Sequence, residues 1–310
     1  MKKWQNLVES AALLAACALA YAQQSPSKAE QRVVRPLSQE QAEVPQSLSS
    51  TEAALRSELQ RNPDAVTVLY QLALVLRQEN KPRESLEIYT RAASLAKPDA
   101  IQLRSVAQDY VLLNDYDDAI HWLRVALGLD ARNPDILYSL GRCFYTQNQF
   151  PEAEAAFVRL LQINPDHLKG EENLGLTYDA ENKPKDAEKA LRTAATWAEQ
   201  RSLHDEWPFL DLGVFLLDQE RADEAIPFLL KATAIAPNCA SCHTKLGHAL
   251  VATGKAPDGV KELQIAVQLD PENPKTHFEL GHAYREAGDQ QKARVEFEMS
   301  KSLYGEHNQN

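Results

Sequence analysis

A repeat of 34 residues constrains this chain more than any other feature. A Leu or Val followed by Ala or Gly recurs seven times, and a bulky apolar residue always lies three positions beyond the small one. The pairs begin at Leu72, Val106, Leu140, Leu174, Leu212, Leu246 and Leu280. A period of this length indicates one structural unit repeated along the chain, because a chain folded around a single core has no reason to repeat its pattern.

Each period has the pattern of two amphipathic helices. Apolar residues recur at three- and four-residue spacing, which places them on one helix face. A small residue twelve positions after each Ala or Gly allows the two helices to approach closely. Prolines stand where second helices should begin, where a missing N–H breaks no helical hydrogen bond. These are Pro82, Pro151, Pro184 and Pro257. The sequence therefore predicts an all-α chain of helical hairpins.

This pattern resembles the tetratricopeptide repeat, whose 34-residue signature places Leu-Gly, Tyr, Ala, Phe and Pro at these offsets. The resemblance covers residues 66–303. It implies a right-handed superhelical solenoid of about seven helix-turn-helix repeats. The predicted repeats span residues 66–99, 100–133, 134–167, 168–201, 206–239, 240–273 and 274–303.

The sequence also predicts how the repeat array begins and ends. Residues 49–65 have the pattern of a single capping helix, and residues 304–310 are predicted to form a short tail. In the seventh repeat, Ser300-Lys301 replaces the pair that packs on a following repeat, so the outer face becomes polar as a terminal repeat requires. Residues 23–48 are rich in Gln, Ser and Pro and are predicted to be a disordered linker.

Residues 1–22 have the features of a signal peptide. Lys2 and Lys3 precede an uncharged stretch of small residues that is too short to span a bilayer, and Ala20-Tyr21-Ala22 matches a signal-peptidase site. We therefore expect export to the periplasm or the extracellular space. The stretch 14–17 also resembles a lipobox, so a membrane-anchored lipoprotein with a lipid anchor at Cys17 stays an alternative.

Charge and motifs exclude several functional classes. The formal net charge is −11 and the isoelectric point is about 5.3, so nucleic-acid phosphates would be repelled. The chain contains no P-loop, HExxH, G-x-S-x-G or Rossmann fingerprint. We therefore expect no catalysis, no bound metal, no cofactor and no nucleic-acid partner. An enzyme-associated subunit, with the active site on a partner, would have the same kind of sequence.

The resemblance implies a function as well as a fold. In tetratricopeptide solenoids the first helix of each repeat lines a concave groove, where protein or peptide partners bind. We expect this chain to be an exported scaffold that binds a protein or peptide in that groove. The residues at groove-facing offsets are Tyr70, Arg77, Arg104, Gln108, Tyr138, Arg142, Tyr145, Trp207, His248, Phe278, His282 and Arg285.

One short motif points to different chemistry. Cys239-Ala-Ser-Cys242-His243 has the C-x-x-C-H spacing that attaches haem c. A redox or electron-transfer protein with covalent haem at Cys239, Cys242 and His243 is therefore the alternative function. His277 occupies the position of His243 in the next repeat without nearby cysteines, so the histidine belongs to the repeat pattern. The two cysteines are then either a local disulfide or two free thiols, and thioredoxin-like chemistry lacks its usual strand–helix context.

Overall fold

A computed structural model describes residues 47–307 of the chain, and this stretch contains fifteen α-helices and no β-strand. The all-α prediction is confirmed. The predicted signal peptide, nearly all of the linker, and Cys17 lie outside the described residues. The helices are α1 Ser47–Arg61, α2 Val66–Gln78, α3 Pro82–Leu95, α4 Ala100–Leu112, α5 Tyr116–Leu129, α6 Pro134–Thr146, α7 Phe150–Ile163, α8 Leu168–Ala180, α9 Pro184–Gln200, α10 Trp207–Asp218, α11 Ala222–Ile235, α12 Ala240–Ala252, α13 Ala256–Leu269, α14 Pro274–Glu286 and α15 Gln290–His307.

The chain divides into two compact units at residue 190, within α9. The described part of the first unit, residues 47–190, contains α1 to α8 and the beginning of α9. The second unit, residues 191–307, contains the end of α9 and α10 to α15. Within each unit, the first helix of a repeat packs on the second helix of the same repeat, and that second helix packs on the next first helix.

The two ends of the array differ in position from the predicted boundaries. Helix α1 begins at Ser47 and ends at Arg61, just before Pro63, because a residue that precedes proline is disfavoured in the helical region. Helix α15 continues to His307, past residue 303. No proline follows Leu303, and the helix continues through Gly305.

The turn between the two helices of every repeat contains a residue whose backbone has a positive φ, in the left-handed helical region. In the first unit this residue is Asn each time, with φ between 57° and 59°: Asn80, Asn114, Asn148 and Asn182. In the second unit it is Glu220 (φ 59°), Gly254 (φ 77°) and Gly288 (φ 87°). Asn and Gly tolerate this conformation, whereas the side chain of Glu is disfavoured in it.

The glycines of the repeat signature lie where the two helices of a hairpin meet. A Cβ atom on Gly141 would lie 2.6 Å from Cε1 of Phe157, which is too close for two carbon atoms. Between α12 and α13 two glycines face each other, and a Cβ on Gly259 would lie 2.9 Å from the carbonyl oxygen of Gly247. The small residues therefore set the distance between the paired helices.

Candidate functional site

The first unit contains a cleft between its first helices α2 and α4. Its volume is about 420 Å³. Leu74 of α2 and Ile101 of α4 line the cleft while 39% and 60% of their surface stays exposed. Lys97 and Asp99, from the loop before α4, contribute one charge of each sign to the lining. The cleft thus combines exposed apolar side chains with polar groups, as ligand sites commonly do.

Tyr70 forms part of the wall of this cleft. Its ring lies 5.7 Å from the ring of Tyr89, in a tilted arrangement. The Tyr70 hydroxyl is buried and has no hydrogen-bond partner within the described part of the chain. Burial raises the pKa of this hydroxyl, and the Asp99 carboxylate and Tyr89 raise it further. A buried hydroxyl without a partner costs about 1–3 kcal/mol, so a polar ligand group that reached it would be favoured.

A buried polar cluster lies next to the cleft. Arg77 is 8% exposed, and its Nη1 donates to the carbonyl oxygen of Ser105, a residue that also lines the cleft. The Ser85 hydroxyl lies 2.8 Å from the carbonyl oxygen of Ala73 and 2.7 Å from Oδ2 of Asp109. One hydroxyl proton cannot be donated to both oxygens. If Ser85 donates to Ala73, a protonated Asp109 can donate to the Ser85 hydroxyl, so that both hydrogen bonds form.

The pKa of Asp109 agrees with that arrangement. Asp109 is fully buried. Burial raises the pKa of its carboxyl to about 7, although the hydrogen bond with Ser85 and the charge of Arg77 act in the opposite direction. The repeat offsets predict Arg77 on the groove surface. The structure instead shows its guanidinium inside the first unit, where it supports the wall of the cleft.

The remaining predicted residues of the first unit differ in exposure. Arg142 and Tyr145 are each 5% exposed and therefore buried. The guanidinium of Arg142 lies 5.8 Å from the centre of the Tyr138 ring, and Tyr145 packs edge-on against Phe150 at 5.5 Å. Arg104, Gln108 and Tyr138 are half-buried. Of these predicted groove residues, only those last three and Tyr70 present part of their side chains to solvent.

In the second unit, a His–Glu pair connects two neighbouring first helices. Nδ1 of His248 in α12 donates to a carboxylate oxygen of Glu279 in α14 over 3.0 Å. This hydrogen bond raises the pKa of His248, against the effect of burial, and half of the side chain stays exposed. Trp207, also predicted on the groove, is half-buried at the start of α10, where its backbone N–H donates to Asp205.

The structure brings three predicted residues of α14 together. The Phe278 ring packs edge-on against His282 at 4.6 Å, and Nη2 of Arg285 donates to Nδ1 of His282 over 2.8 Å. Burial lowers the pKa of His282, and the positive charge of Arg285 lowers it further. His282 is therefore held as a neutral ring with its proton on Nε2.

The Cys-x-x-Cys-His motif lies at the start of α12. Cys239 and Cys242 are joined in a disulfide. His243 is 7% exposed; its Nδ1 lies 2.7 Å from Oε2 of Glu262, and its Nε2 lies 3.0 Å from the carbonyl oxygen of Pro237. In this arrangement neither sulfur and neither ring nitrogen is free to hold a haem.

The next repeat shows that these histidine contacts belong to the fold. His277 of α14 is buried at the same repeat position. Its Nδ1 lies 2.7 Å from Glu296, and its Nε2 lies 3.0 Å from the carbonyl oxygen of Pro271. The same two contacts therefore form beside a disulfide and without one.

Two negative findings apply to residues 47–307. None of the helices there is both long and apolar enough to cross a bilayer. Within the same stretch, no three His, Cys, Asp or Glu side chains are grouped so that they could bind a metal ion together.

The repeat geometry is matched by known sequence families. Residues 110–171 and 209–239 match profiles described as tetratricopeptide repeat, and residues 247–288 match a profile described as TPR repeat. The chain is a tetratricopeptide-repeat protein. The tetratricopeptide solenoid fold that the resemblance implied is thereby confirmed.

Solved structures and a curated relative agree with this assignment. A tetratricopeptide repeat protein from Parabacteroides merdae superposes with a TM-score of 0.61 at 16% identity, covering 76% of this chain and 92% of that one. YrrB, described as a TPR protein with an unusual peptide-binding site, gives a TM-score of 0.50 at 16% identity, with 60% and 93% covered. The BBSome complex member BBS4 of Mus musculus is 31% identical over 100 residues, which are 32% of this chain and 19% of BBS4. The chain thus spans about a fifth of the length of the curated relatives that it matches.

The repeat offsets do not predict several residues of the cleft between α2 and α4, or the partner of His248. Ile101 is an apolar residue near the start of a first helix, off the face that packs in the core. An apolar residue at such a position predicts an exposed contact surface. Lys97 and Asp99 lie in a loop, where repeat offsets give no direction for a side chain. Glu279 occupies a position next to Phe278 that the groove offsets do not include, and only packing shows its contact with His248.

Proposed function

We propose that this tetratricopeptide-repeat protein is an exported, non-catalytic scaffold that binds a protein or peptide partner on its first helices. The observation that carries the proposal is the cleft between α2 and α4, where Leu74 and Ile101 remain exposed. Large apolar side chains that flank one cleft mark a binding surface more often than isolated ones do. Full burial of one such side chain by a partner contributes about 1.5–3 kcal/mol.

The kind of partner follows from the lining of the cleft. We expect an apolar side chain of a peptide to pack on Leu74 and Ile101, while the Lys97 ammonium and the Asp99 oxygen that does not cap α4 pair with charged or polar groups beside it. Two similar proteins are consistent with this role, since YrrB is described by its peptide-binding site and BBS4 as a member of a complex. Tetratricopeptide domains are typically binding modules without catalytic groups of their own.

The experiment uses selection of binding peptides rather than a known partner. A library of random peptides is displayed against the immobilised full chain, and the affinity of an enriched peptide is measured by fluorescence anisotropy. The double variant Leu74→Gln/Ile101→Gln should bind that peptide at least about tenfold more weakly, because each substitution removes apolar surface from the contact.

The matched control is Leu129→Gln. Leu129 is 50% exposed in the same unit but lies at the end of a second helix, α5, so this variant should bind like the unmodified chain. A library that yields no enriched peptide would contradict the binding function. Equal affinity of the double variant and the unmodified chain would contradict the assignment of the surface.

Export is proposed from the N-terminal sequence and from cysteine usage. Residues 1–22 carry signal-peptide features, and the Cys239–Cys242 disulfide suits an oxidising compartment. Mass spectrometry of the protein from its native cell should show an N-terminus at Gln23. An acylated N-terminus at Cys17 would establish the lipoprotein alternative, and an intact N-terminus in the cytosol would contradict export.

A further inference from the structure

We propose that Cys239 and Cys242 form a redox-active pair that exchanges with dithiols, in which Cys239 forms the mixed disulfide with the external thiol and Cys242 is the partner sulfur that leaves on reduction and resolves the mixed disulfide on reoxidation. This activity goes beyond partner binding. It rests on the exposure of each cysteine residue, on the donors around Cys239, and on the position of the pair at the start of α12.

The two cysteines differ in access. Cys239 is the residue that caps the N-terminus of α12, and it is partly exposed. Cys242 lies inside the first turn of the helix and is fully buried. An incoming thiol is therefore expected to reach Cys239 and not Cys242, which gives the direction of attack on this disulfide.

The surroundings of Cys239 offer donors to a thiolate once the disulfide is reduced. Its Sγ accepts a hydrogen bond from the backbone N–H of Cys242 over 3.1 Å, and the hydroxyl of Ser241 lies 3.3 Å from the same sulfur. The sulfur also lies at the positive end of a 13-residue helix. Thiols in such positions ionise more readily and react faster than ordinary cysteines.

Cys143 provides an internal contrast. This free cysteine lies within α6, 1% exposed. Burial raises the pKa of its thiol to about 12. A buried cysteine of this kind is unreactive, so it supplies a reference thiol in the same molecule.

The exchange is balanced as a two-electron step. A thiolate of an external dithiol attacks Sγ of Cys239, the bond between Cys239 and Cys242 breaks, and its electron pair leaves on Cys242, which takes up a proton. The second thiol of the dithiol, as a thiolate, then attacks the dithiol's first sulfur in the mixed disulfide, and the electron pair of that bond leaves on Cys239, which takes up a proton. The dithiol is oxidised to a disulfide, and the protein gains two electrons and two protons.

The first experiment follows the alkylation of each cysteine in the full chain. The folded protein is reduced with dithiothreitol and treated briefly with iodoacetamide between pH 6 and 9, and peptide mapping by mass spectrometry separates all cysteines. We expect Cys239 to react at least about tenfold faster than Cys242 and Cys143. Its rate should also level off at a lower pH than that of glutathione, and Ser241→Ala should shift this plateau to higher pH.

A second experiment distinguishes the two roles through variants. Cys242→Ser should accumulate a stable mixed disulfide with oxidised glutathione at Cys239, whereas the unmodified chain should resolve it. Cys239→Ser should form the adduct at Cys242 at least about tenfold more slowly. Equal rates for the two cysteines, or a disulfide that dithiothreitol opens only after denaturation, would overturn the proposal. Circular dichroism of each variant verifies that the helices are intact.

Discussion

The two units fill the same repeat position in different ways. Three residues before the Leu or Val that recurs in each first helix, the first unit has buried leucines in three repeats: Leu69, Leu103 and Leu137. The second unit has Phe209 and then two buried histidines, His243 and His277. The leucines contribute apolar burial, whereas each histidine connects a carboxylate on its second helix with the carbonyl oxygen of a preceding proline.

A second difference lies in the turns. The first unit has Asn at all four left-handed turn positions, and the second unit has Glu220 at one of them. Together the two differences show that the repeat prescribes a backbone shape and a filled volume rather than a residue type. Directional hydrogen bonds in the second unit replace packing contacts in the first, and they depend on both partners being present.

The largest expected effect is the loss of one of these leucines. Leu137→Ala should lower the free energy of unfolding by about 3 kcal/mol, since it removes buried methyl groups and leaves a cavity. Chemical denaturation measures the loss, and hydrogen exchange with mass spectrometry assigns it to the first unit. A loss under about 1 kcal/mol would mean that the neighbouring helices collapse into the space, and that this leucine contributes less to stability than we infer.

Asp109→Asn should change how stability depends on pH. The folded-state pKa of about 7 exceeds the ordinary value of 3.8, so the protonated carboxyl supports the fold below about pH 4 and this support is lost as the pH rises through 7. The unmodified chain should lose at most about 1.4 kcal/mol per pH unit in that window.

The Asn variant should lack this decline, because its amide can donate to Ser85 as the protonated carboxyl would. Three pH units at this slope set an upper limit of about 4 kcal/mol. Because relaxation around the ionised carboxyl lowers that cost, the variant should exceed the unmodified chain in stability by about 2 kcal/mol at pH 8, and should match it near pH 4. Parallel curves of unfolding free energy against pH for the two proteins would show that Asp109 is not neutral in the folded state.

Breaking a histidine pair should cost less. Glu262→Ala removes the acceptor of the His243 Nδ1 hydrogen bond, and Glu296→Ala does the same for His277. Each should reduce the free energy of unfolding by about 1–2 kcal/mol. The double variant His243→Leu/Glu262→Leu recreates the arrangement of the first unit and should recover most of the loss. Failure to recover would show that the second unit cannot accommodate leucine at this position.

The smallest effect concerns the turn of the fifth repeat. Glu220→Asn places a residue that tolerates the left-handed backbone conformation where Glu is disfavoured. The variant should be more stable by about 0.5–1 kcal/mol, measured by thermal and chemical unfolding. The reverse change in the first unit, Asn148→Glu, should destabilise by a similar amount. If neither variant changes stability, the turn residue does not contribute to the difference between the units.

The candidate site was only partly predictable. The offsets that place Tyr70, His248 and Phe278 on first helices follow from helical periodicity, which sequence alone reveals. The same offsets assign Arg77, Arg142 and Tyr145 to the surface, but packing against neighbouring helices buries all three. A long side chain at a given angle on a helix can extend outward or fold back into the core, and the space left by its neighbours determines which.

The sequence by itself determined the helical repeat, its period and its seven copies, because small and apolar residues at fixed spacing leave two paired helices as the arrangement that buries them. Tertiary structure alone decided that Leu74 and Ile101 flank a cleft, that Asp109 shares a buried cluster with Ser85, and that Cys239 is accessible while Cys242 is not. These facts depend on distances between residues of different helices. Such distances result from the packing of whole side chains, and no local pattern in the sequence encodes them.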